Sequence, residues 1–144
     1  MSAQAGYAVL RASGVSLVLD LTGDVPVVLH WGADLGPLDD GGVAALRASG
    51  STARVANSPE ALRTVTLLPL ERDTWSGIPG LDGHRAGAAT TPRPVLGLAE
   101  VEQSSSGEGG TVRCALRDPI TRLELTVEVE LEATGILRVQ WSAL

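Results

Sequence analysis

Lysine and phenylalanine are both absent from this chain of 144 residues, and cysteine occurs once. The 11 basic residues are therefore all arginines, scattered along a chain whose formal net charge is −6. Proteins that bind the phosphate backbone of nucleic acids rely on clustered lysine and arginine side chains. The composition therefore argues against a nucleic-acid partner.

The single cysteine, Cys114, excludes an internal disulfide bond. It lies in an alternating apolar run with no strand–turn–helix context that would activate a nucleophile, so we interpret it as a small buried core residue. The sequence has no basic N-terminal region followed by an apolar stretch, and no run approaches the ~18 apolar residues of a membrane span. These absences predict a cytoplasmic protein with no membrane partner.

Aromatic residues are also scarce, because tryptophan occurs three times and tyrosine once. The core must therefore be built from Val, Leu and Ala. Most of the chain consists of short runs of such residues separated by Gly, Pro, Asp and Ser. The clearest is Thr121–Glu132, where Leu and Val alternate with Glu and Thr, which indicates a strand with one buried face and one solvated face.

The remaining turn signals divide the chain into further strands. The predicted strands are Tyr7–Arg11, Val15–Leu21, Pro26–Trp31 (ended by Gly32), Val95–Glu102, Thr111–Arg117 and Ile136–Trp141. Roughly ten short strands predict an all-β fold, an antiparallel β-sandwich formed as one domain over residues 1–144. Val43–Ser49 and Ser58–Arg63 carry helix signals, so we expect one or two short helical turns as well.

The glycine-rich segment Trp75–Gly87 interrupts this strand pattern. It places Trp75, Asp82, His84 and Arg85 between four glycines. Asp and Arg make charge-assisted hydrogen bonds to hydroxyl groups, so the segment is a candidate for binding sugar hydroxyls. The alternative is a loop that folds on itself, with Asp82 accepting from backbone N–H groups and pairing with Arg85.

No arrangement of residues indicates a metal site, a cofactor or a complete active site. His30 ends a predicted strand and is either bonded to a neighbouring strand or loop, or part of a binding site. With two histidines and one cysteine, nothing in the spacing selects a set of metal ligands. We interpret the glutamates of Thr121–Glu132 as a solvated face, and Asp39 and Asp40 as neighbours that do not converge on one glycosidic bond.

Three stretches of the sequence resemble the N-terminal domain of family 36 α-galactosidases. They are Val27–Gly36, which contains His30-Trp31-Gly32; Leu67–Glu71; and Trp75–Arg85, which contains Gly80-Leu81-Asp82-Gly83-His84-Arg85. The predicted closing strands Leu123–Glu132 and Ile136–Trp141 also fit that domain. The resemblance spans nearly the whole chain, and the two motifs are more specific together than either is alone.

The resemblance implies a β-supersandwich that precedes a catalytic (β/α)₈ barrel, and it implies a homo-oligomer. In such enzymes the barrel supplies two aspartates for retaining hydrolysis of terminal α-galactosides. Neither barrel nor aspartates are present here, so we expect no catalytic residue in this chain. On the matching loop, the expected residues of the substrate-pocket rim are Trp75, Asp82, His84 and Arg85, with His30 and Trp31 supporting them.

The leading hypothesis is an accessory domain that shapes the substrate pocket of an α-galactosidase-like parent enzyme and docks the barrel or neighbouring subunits. One alternative is a free-standing carbohydrate-binding or interaction β-sandwich, for which the chain offers one tryptophan in a clear loop, Trp75. Another is a truncated gene product with no independent role. Because Ile136–Trp141 is followed by no turn residue or polar tail, we expect the sandwich to be cut before its last strands.

Overall fold

The computed structural model describes residues 6–50, 66–70, 77–84 and 91–144, which contain seven strands and one helix. These are β1 (Tyr7–Ala12), β2 (Val15–Asp20), β3 (Val27–Ala33), α1 (Asp40–Ser49), β4 (Val95–Gln103), β5 (Gly110–Arg117), β6 (Glu124–Leu131) and β7 (Leu137–Ala143). The strands form two antiparallel sheets, in the orders β1-β2-β3 and β4-β5-β6-β7. The predicted all-β sandwich is confirmed, whereas the helical turn predicted at Ser58–Arg63 lies outside the described residues.

The first sheet begins with a hairpin formed by the first two predicted strands. Ser13 and Gly14 connect β1 to β2, and both have positive φ angles of 48° and 75°. Positive φ at both central residues is the type I′ geometry that matches the twist of the flanking strands. The prediction that Gly32 ends the third strand is wrong, because Gly32 pairs with Ser16 and the ladder continues to Ala33.

Helix α1 lies on the outer face of the first sheet. Its Arg47 donates to Asp20 at 2.5 Å, and Tyr7 of β1 donates to Asp40 at 2.8 Å. The helix begins earlier than the predicted Val43–Ser49 because Asp39 acts as its N-cap, accepting a 2.8 Å hydrogen bond from the Gly42 N–H,. The sheet is therefore covered on both faces, and every residue of β2 after Val15 is buried.

The second sheet is covered on one face only. Along β6 the apolar residues are buried in strict alternation with half-buried or exposed polar ones, as predicted. The outward glutamates pair with arginines on the neighbouring strands, for example Glu128 with Arg113 at 2.5 Å and Glu132 with Arg138 at 2.5 Å. The interpretation of these glutamates as a solvated face is confirmed.

The core lies between the two sheets and is almost entirely aliphatic. Its buried members are Ala8, Leu10, Ala12, Leu17, Leu19, Val25, Leu68, Leu70, Val112, Cys114, Leu116, Leu125, Val127, Val129 and Leu131. Cys114 is fully buried, and burial raises the pKa of its thiol to about 11, so it is a core residue as predicted,. No helix in the described part of the chain has the length and hydrophobicity needed to cross a membrane.

Candidate functional site

The glycine-rich loop is held against the first sheet by a short segment, residues 66–70. Thr66 bridges to Val27 of β3, while Leu68 and Leu70 are buried in the core. The loop then bonds to this segment, because the Gly80 N–H donates to the Pro69 carbonyl at 2.8 Å. A Cβ on Gly80 would lie 3.0 Å from the Leu68 Cδ1 atom and 3.2 Å from the Pro69 Cδ atom, so a side chain there would push these neighbours slightly aside.

A buried carboxylate fixes the segments that face this loop. Asp118, 1% exposed, accepts hydrogen bonds from the backbone N–H groups of Arg93 at 2.8 Å, Ile120 at 2.9 Å and Thr121 at 3.3 Å. Burial opposes its ionisation, but these hydrogen bonds outweigh burial and hold the pKa of Asp118 below its ordinary value,. Asp118 therefore joins the segment just before β4 to the turn between β5 and β6. We call this set of hydrogen bonds the Asp118 clasp.

Between the loop and the clasped segments lies a cavity of about 230 Å³, which we call the polar cavity. The described residues that line it are Leu81, Asp82, Gly83, His84, Pro92, Thr121 and Leu123. Gly83 has a φ of 140°, a conformation that favours glycine, and its N–H donates to Asp82 at 2.7 Å,. The structure thus brings two predicted rim residues, Asp82 and His84, to one cavity.

Asp82 and His84 are both exposed and retain hydrogen-bonding capacity. Within the described ranges, the Asp82 Oδ2 atom and the two ring nitrogens of His84 form no hydrogen bond or ion pair. A carboxylate accepts hydrogen bonds, and a neutral imidazole both donates and accepts. This pair can therefore bind neighbouring hydroxyl groups of a ligand without breaking any bond to the described residues beyond the one from Gly83 to Asp82. No cluster of three His, Cys, Asp or Glu residues suited to a metal ion occurs in the described residues.

A second cavity of about 350 Å³, the apolar cavity, adjoins the first and shares Leu81 with it. It lies between residues 66–70 and the strands β6 and β7. Its described lining consists of Leu67, Leu68, Pro69, Gly80, Leu81, Leu125, Trp141, Ser142 and Ala143. The loop 77–84 therefore contributes to both cavities, with Asp82 and His84 at the first and Gly80 at the second.

His30 and Trp31, the other predicted site residues that the structure describes, are not among the described residues that line these cavities. Trp75 and Arg85 lie outside the described residues. His30 bonds within its own strand, with 2.9 Å between its Nε2 atom and the Ala33 carbonyl, and Trp31 is 61% exposed on the opposite face of β3. Neither is among the described lining residues, so their supporting role stays a prediction.

The stretch that contains His30 also has a structural role, which depends on Asp34, a residue that the sequence did not mark as functional. Asp34, directly after β3, accepts from Arg11 at 2.5 Å and from the Ser16 hydroxyl at 2.5 Å. Hydrogen bonds from Arg11 first, and then from Ser16, lower the pKa of this carboxyl strongly,. Asp34 therefore ties the end of β3 to β1 and β2.

Sequence reasoning also missed Pro92, Thr121 and Leu123 as cavity residues. Leu123 was predicted only as the start of an alternating strand. Thr121 follows the Asp118-Pro119 turn, is 4% exposed, and its hydroxyl has no hydrogen-bond partner of acceptable geometry in the part of the chain that the structure describes. The sequence signal that could have identified Thr121 was its position as a polar residue two places after the Asp118-Pro119 pair.

Comparison with known proteins agrees with the fold and with the resemblance. A family model described as the glycosyl hydrolase family 36 N-terminal domain matches residues 24–143, most of the chain. No curated protein and no solved structure gives a significant match. The match includes both cavities, the Asp118 clasp and all strands from β3 onward. The chain therefore belongs to the glycosyl hydrolase family 36 N-terminal domain family.

Proposed function

We propose that this β-sandwich is the accessory domain of an α-galactosidase-like glycoside hydrolase, in which it shapes the rim of the substrate pocket and docks the catalytic barrel or neighbouring subunits. The observation that carries the proposal is the polar cavity, where Asp82 and His84 share one wall in a domain of this family. In this proposal the barrel supplies the catalytic carboxylates. The sandwich contributes hydrogen bonds to sugar hydroxyls.

The size of the polar cavity supports a rim rather than a complete binding site. Its volume of about 230 Å³ is below the ~300–1,000 Å³ of typical small-molecule pockets. Such pockets enclose most of the ligand surface, whereas here both ionisable side chains, Asp82 and His84, come from one loop,. A second protein surface laid over the cavity would complete the enclosure.

Exposed apolar side chains near the cavity support the docking part of the proposal. Ile78 is 92% exposed in the glycine-rich loop, and Ile120 is 60% exposed in the turn next to Thr121. Large exposed apolar residues beside polar groups are typical of interaction surfaces. We propose that these two residues pack against the barrel and exclude water from the rim.

The experiment is mutagenesis in the parent enzyme. Asp82→Ala and His84→Ala are expected to lower kcat/KM for a chromogenic α-galactoside by about tenfold each, because each removes one hydrogen bond to substrate. Glu108→Ala, an exposed change in the β4–β5 turn, is the matched control and should leave kcat/KM unchanged. Unchanged kcat/KM in both rim variants would remove these residues from the site.

The isolated chain provides a second test. We expect no turnover of the α-galactoside, because the proposal assigns bond cleavage to the barrel. Turnover by the isolated chain would contradict that assignment. Oligosaccharide binding by the isolated chain, measured by titration calorimetry, would instead favour a free-standing carbohydrate-binding module.

A further inference from the structure

One wall of the polar cavity contains a buried hydroxyl group without a hydrogen-bond partner. Thr121 is 4% exposed, and its Oγ1 atom forms no hydrogen bond within the part of the chain that the structure describes. A buried hydroxyl group that lacks a partner destabilises the fold, and native proteins contain few such groups. Because Thr121 lines the cavity, a bound ligand can supply the partner.

The Asp118 clasp holds the backbone of Thr121 but leaves its side chain without a hydrogen bond to a described residue. The Asp118 carboxylate accepts from three backbone N–H groups, one of which is that of Thr121. The Thr121 hydroxyl lies close enough to help lower the pKa of Asp118, yet the two groups do not have the geometry of a hydrogen bond. The side chain can therefore turn without loosening the backbone.

The lining of the cavity combines polar groups from two walls with apolar surface. Asp82 and His84 come from the loop 77–84, whereas Thr121 comes from the wall that the clasp holds. The other described side chains of the lining are those of Leu81, Pro92 and Leu123. A few polar groups set in apolar surface are typical of ligand sites. A pyranose ring carries hydroxyl groups around its edge and C–H groups on its faces, so it offers partners for both kinds of surface.

We infer that Thr121 is a third sugar-binding residue of the polar cavity, and that its hydroxyl pairs with one hydroxyl group of the galactoside. This inference rests on the proposed function, because it takes the ligand to be the galactoside bound by Asp82 and His84. The threonine and sugar hydroxyls each donate and accept, so either can be the donor. Rotation about the χ1 bond moves the buried oxygen of Thr121 between three staggered positions while its backbone stays fixed.

A hydroxyl in this position makes the site selective for one hydroxyl group of the sugar. A site that hydrogen-bonds a substrate hydroxyl strongly rejects the analogue that lacks it, because the buried polar group of the protein is then left unpaired. Among the monodeoxy derivatives of an α-galactoside, one is therefore a poor substrate because of Thr121. The loss for that derivative depends on the hydroxyl of Thr121 and disappears when this hydroxyl is removed.

The first test separates a binding role from a structural one. Thr121→Val keeps the shape of the side chain and removes an unpaired hydroxyl, so the denaturation midpoint of the 144-residue chain should stay the same or rise. Thr66 carries a second unpartnered buried hydroxyl but is not among the described residues that line either cavity. Thr66→Val is therefore the matched control. A lower midpoint for Thr121→Val would show that the hydroxyl supports the Asp118 clasp, and it would overturn the inference.

The second test measures kinetics of the parent enzyme. Thr121→Val should lower kcat/KM for a chromogenic α-galactoside about tenfold, because it removes one hydrogen bond to substrate. Thr121→Ser keeps the hydroxyl and should stay within about twofold of wild type. Thr66→Val should leave kcat/KM unchanged. Wild-type kcat/KM in Thr121→Val, or an equal loss in Thr121→Val and Thr121→Ser, would overturn the inference.

A panel of monodeoxy α-galactosides identifies the hydroxyl group that Thr121 binds. For one derivative, the loss of kcat/KM relative to the parent substrate should be about tenfold in wild type and absent in Thr121→Val. Equal losses in both enzymes for every derivative would overturn the pairing. If Asp82→Ala and His84→Ala lower kcat/KM and Thr121→Val does not, this inference fails while the proposed function stands. If none of the three lowers kcat/KM, both fail.

Discussion

The middle strand of the first sheet is buried on both faces, whereas the middle strands of the second sheet are buried on one. In β2, Leu17 points into the core and Val18 lies beneath helix α1, and each is at most 1% exposed. In β6, Val127 is buried but the adjacent Glu128 faces solvent beside Arg113. An outward-facing residue of a middle strand is therefore buried in the first sheet and solvent-facing in the second. The stability lost when such a residue is substituted measures how well each outer face is covered.

The largest effect is expected for a charge introduced under the helix. Val18→Asp would bury a carboxylate with no partner, so the free energy of unfolding should fall by about 4 kcal/mol or more. The matched variant Ala115→Asp introduces the same charge on the outward face of β5 and should cost less than about 1 kcal/mol. Chemical denaturation of both variants compares the two faces directly. Equal losses would contradict the difference in cover.

A smaller effect is expected when the helix loses its ion pair with the first sheet. Among the described residues, Arg47→Met leaves the carboxylate of Asp20, which is 7% exposed, with its two hydrogen bonds from Thr22. Since Arg47 is partly solvated, the expected loss is about 1 kcal/mol. Arg117→Met removes an exposed pair at 3.7 Å on the second sheet and serves as the control. A loss as large for Arg117→Met as for Arg47→Met would show that the helix pair has no special weight.

Acid should weaken the fold through carboxyls whose pKa is lowered in the folded state. Burial opposes ionisation of Asp20, but hydrogen bonds from Arg47 and Thr22 outweigh it and lower its pKa. Asp34 and Asp118 are lowered as well. A depressed folded pKa stabilises the fold above the unfolded pKa of about 4, and this stabilisation is lost as pH falls further.

Denaturation curves between pH 7 and pH 3 measure this dependence. Stability should decline below about pH 4, and the decline should be shallower in Asp20→Asn, which removes one of the three titrations. A variant slope identical to that of wild type would exclude Asp20 as a contributor.

The smallest effect is expected on the solvated face. Arg113→Ala breaks the pair with Glu128, whose side chains are 56% and 34% exposed. Exposed pairs contribute little, so the expected loss of stability is close to the limit of detection, and it should vanish in 1 M salt because screening removes the interaction. A loss that persists in high salt would indicate packing by the arginine stem instead.

The difference between the sheets also explains which strands the sequence could predict. In β6, apolar and polar residues alternate from Leu125 to Leu131 because one face of the strand contacts solvent. This alternation made the strand predictable from the sequence. β2 reads Val-Ser-Leu-Val-Leu-Asp, nearly continuous, because helix α1 covers its second face, and the sequence alone does not reveal that cover. The missed N-terminal turn of α1 depends on the bond between Asp39 and Gly42, in a stretch whose glycines indicated a loop.

The candidate site could be predicted in part for a related reason. Asp82 and His84 are close in sequence, so a local motif was enough to find them. Thr121 and Pro92 reach the same cavity through the Asp118 clasp, which joins segments separated by 25 residues. Long-range hydrogen bonds of this kind leave no periodic signal.

The wall of the polar cavity opposite the loop 77–84 is held in place by the Asp118 clasp. Its shape does not depend on the side chains of the residues that donate to Asp118. All of its hydrogen bonds from Arg93, Ile120 and Thr121 come from backbone N–H groups, which every residue except proline provides. Arg93 and Ile120 are exposed, so their side chains can be exchanged without moving the wall. The exposed side chains around the cavity can thus be changed while the cavity keeps its shape.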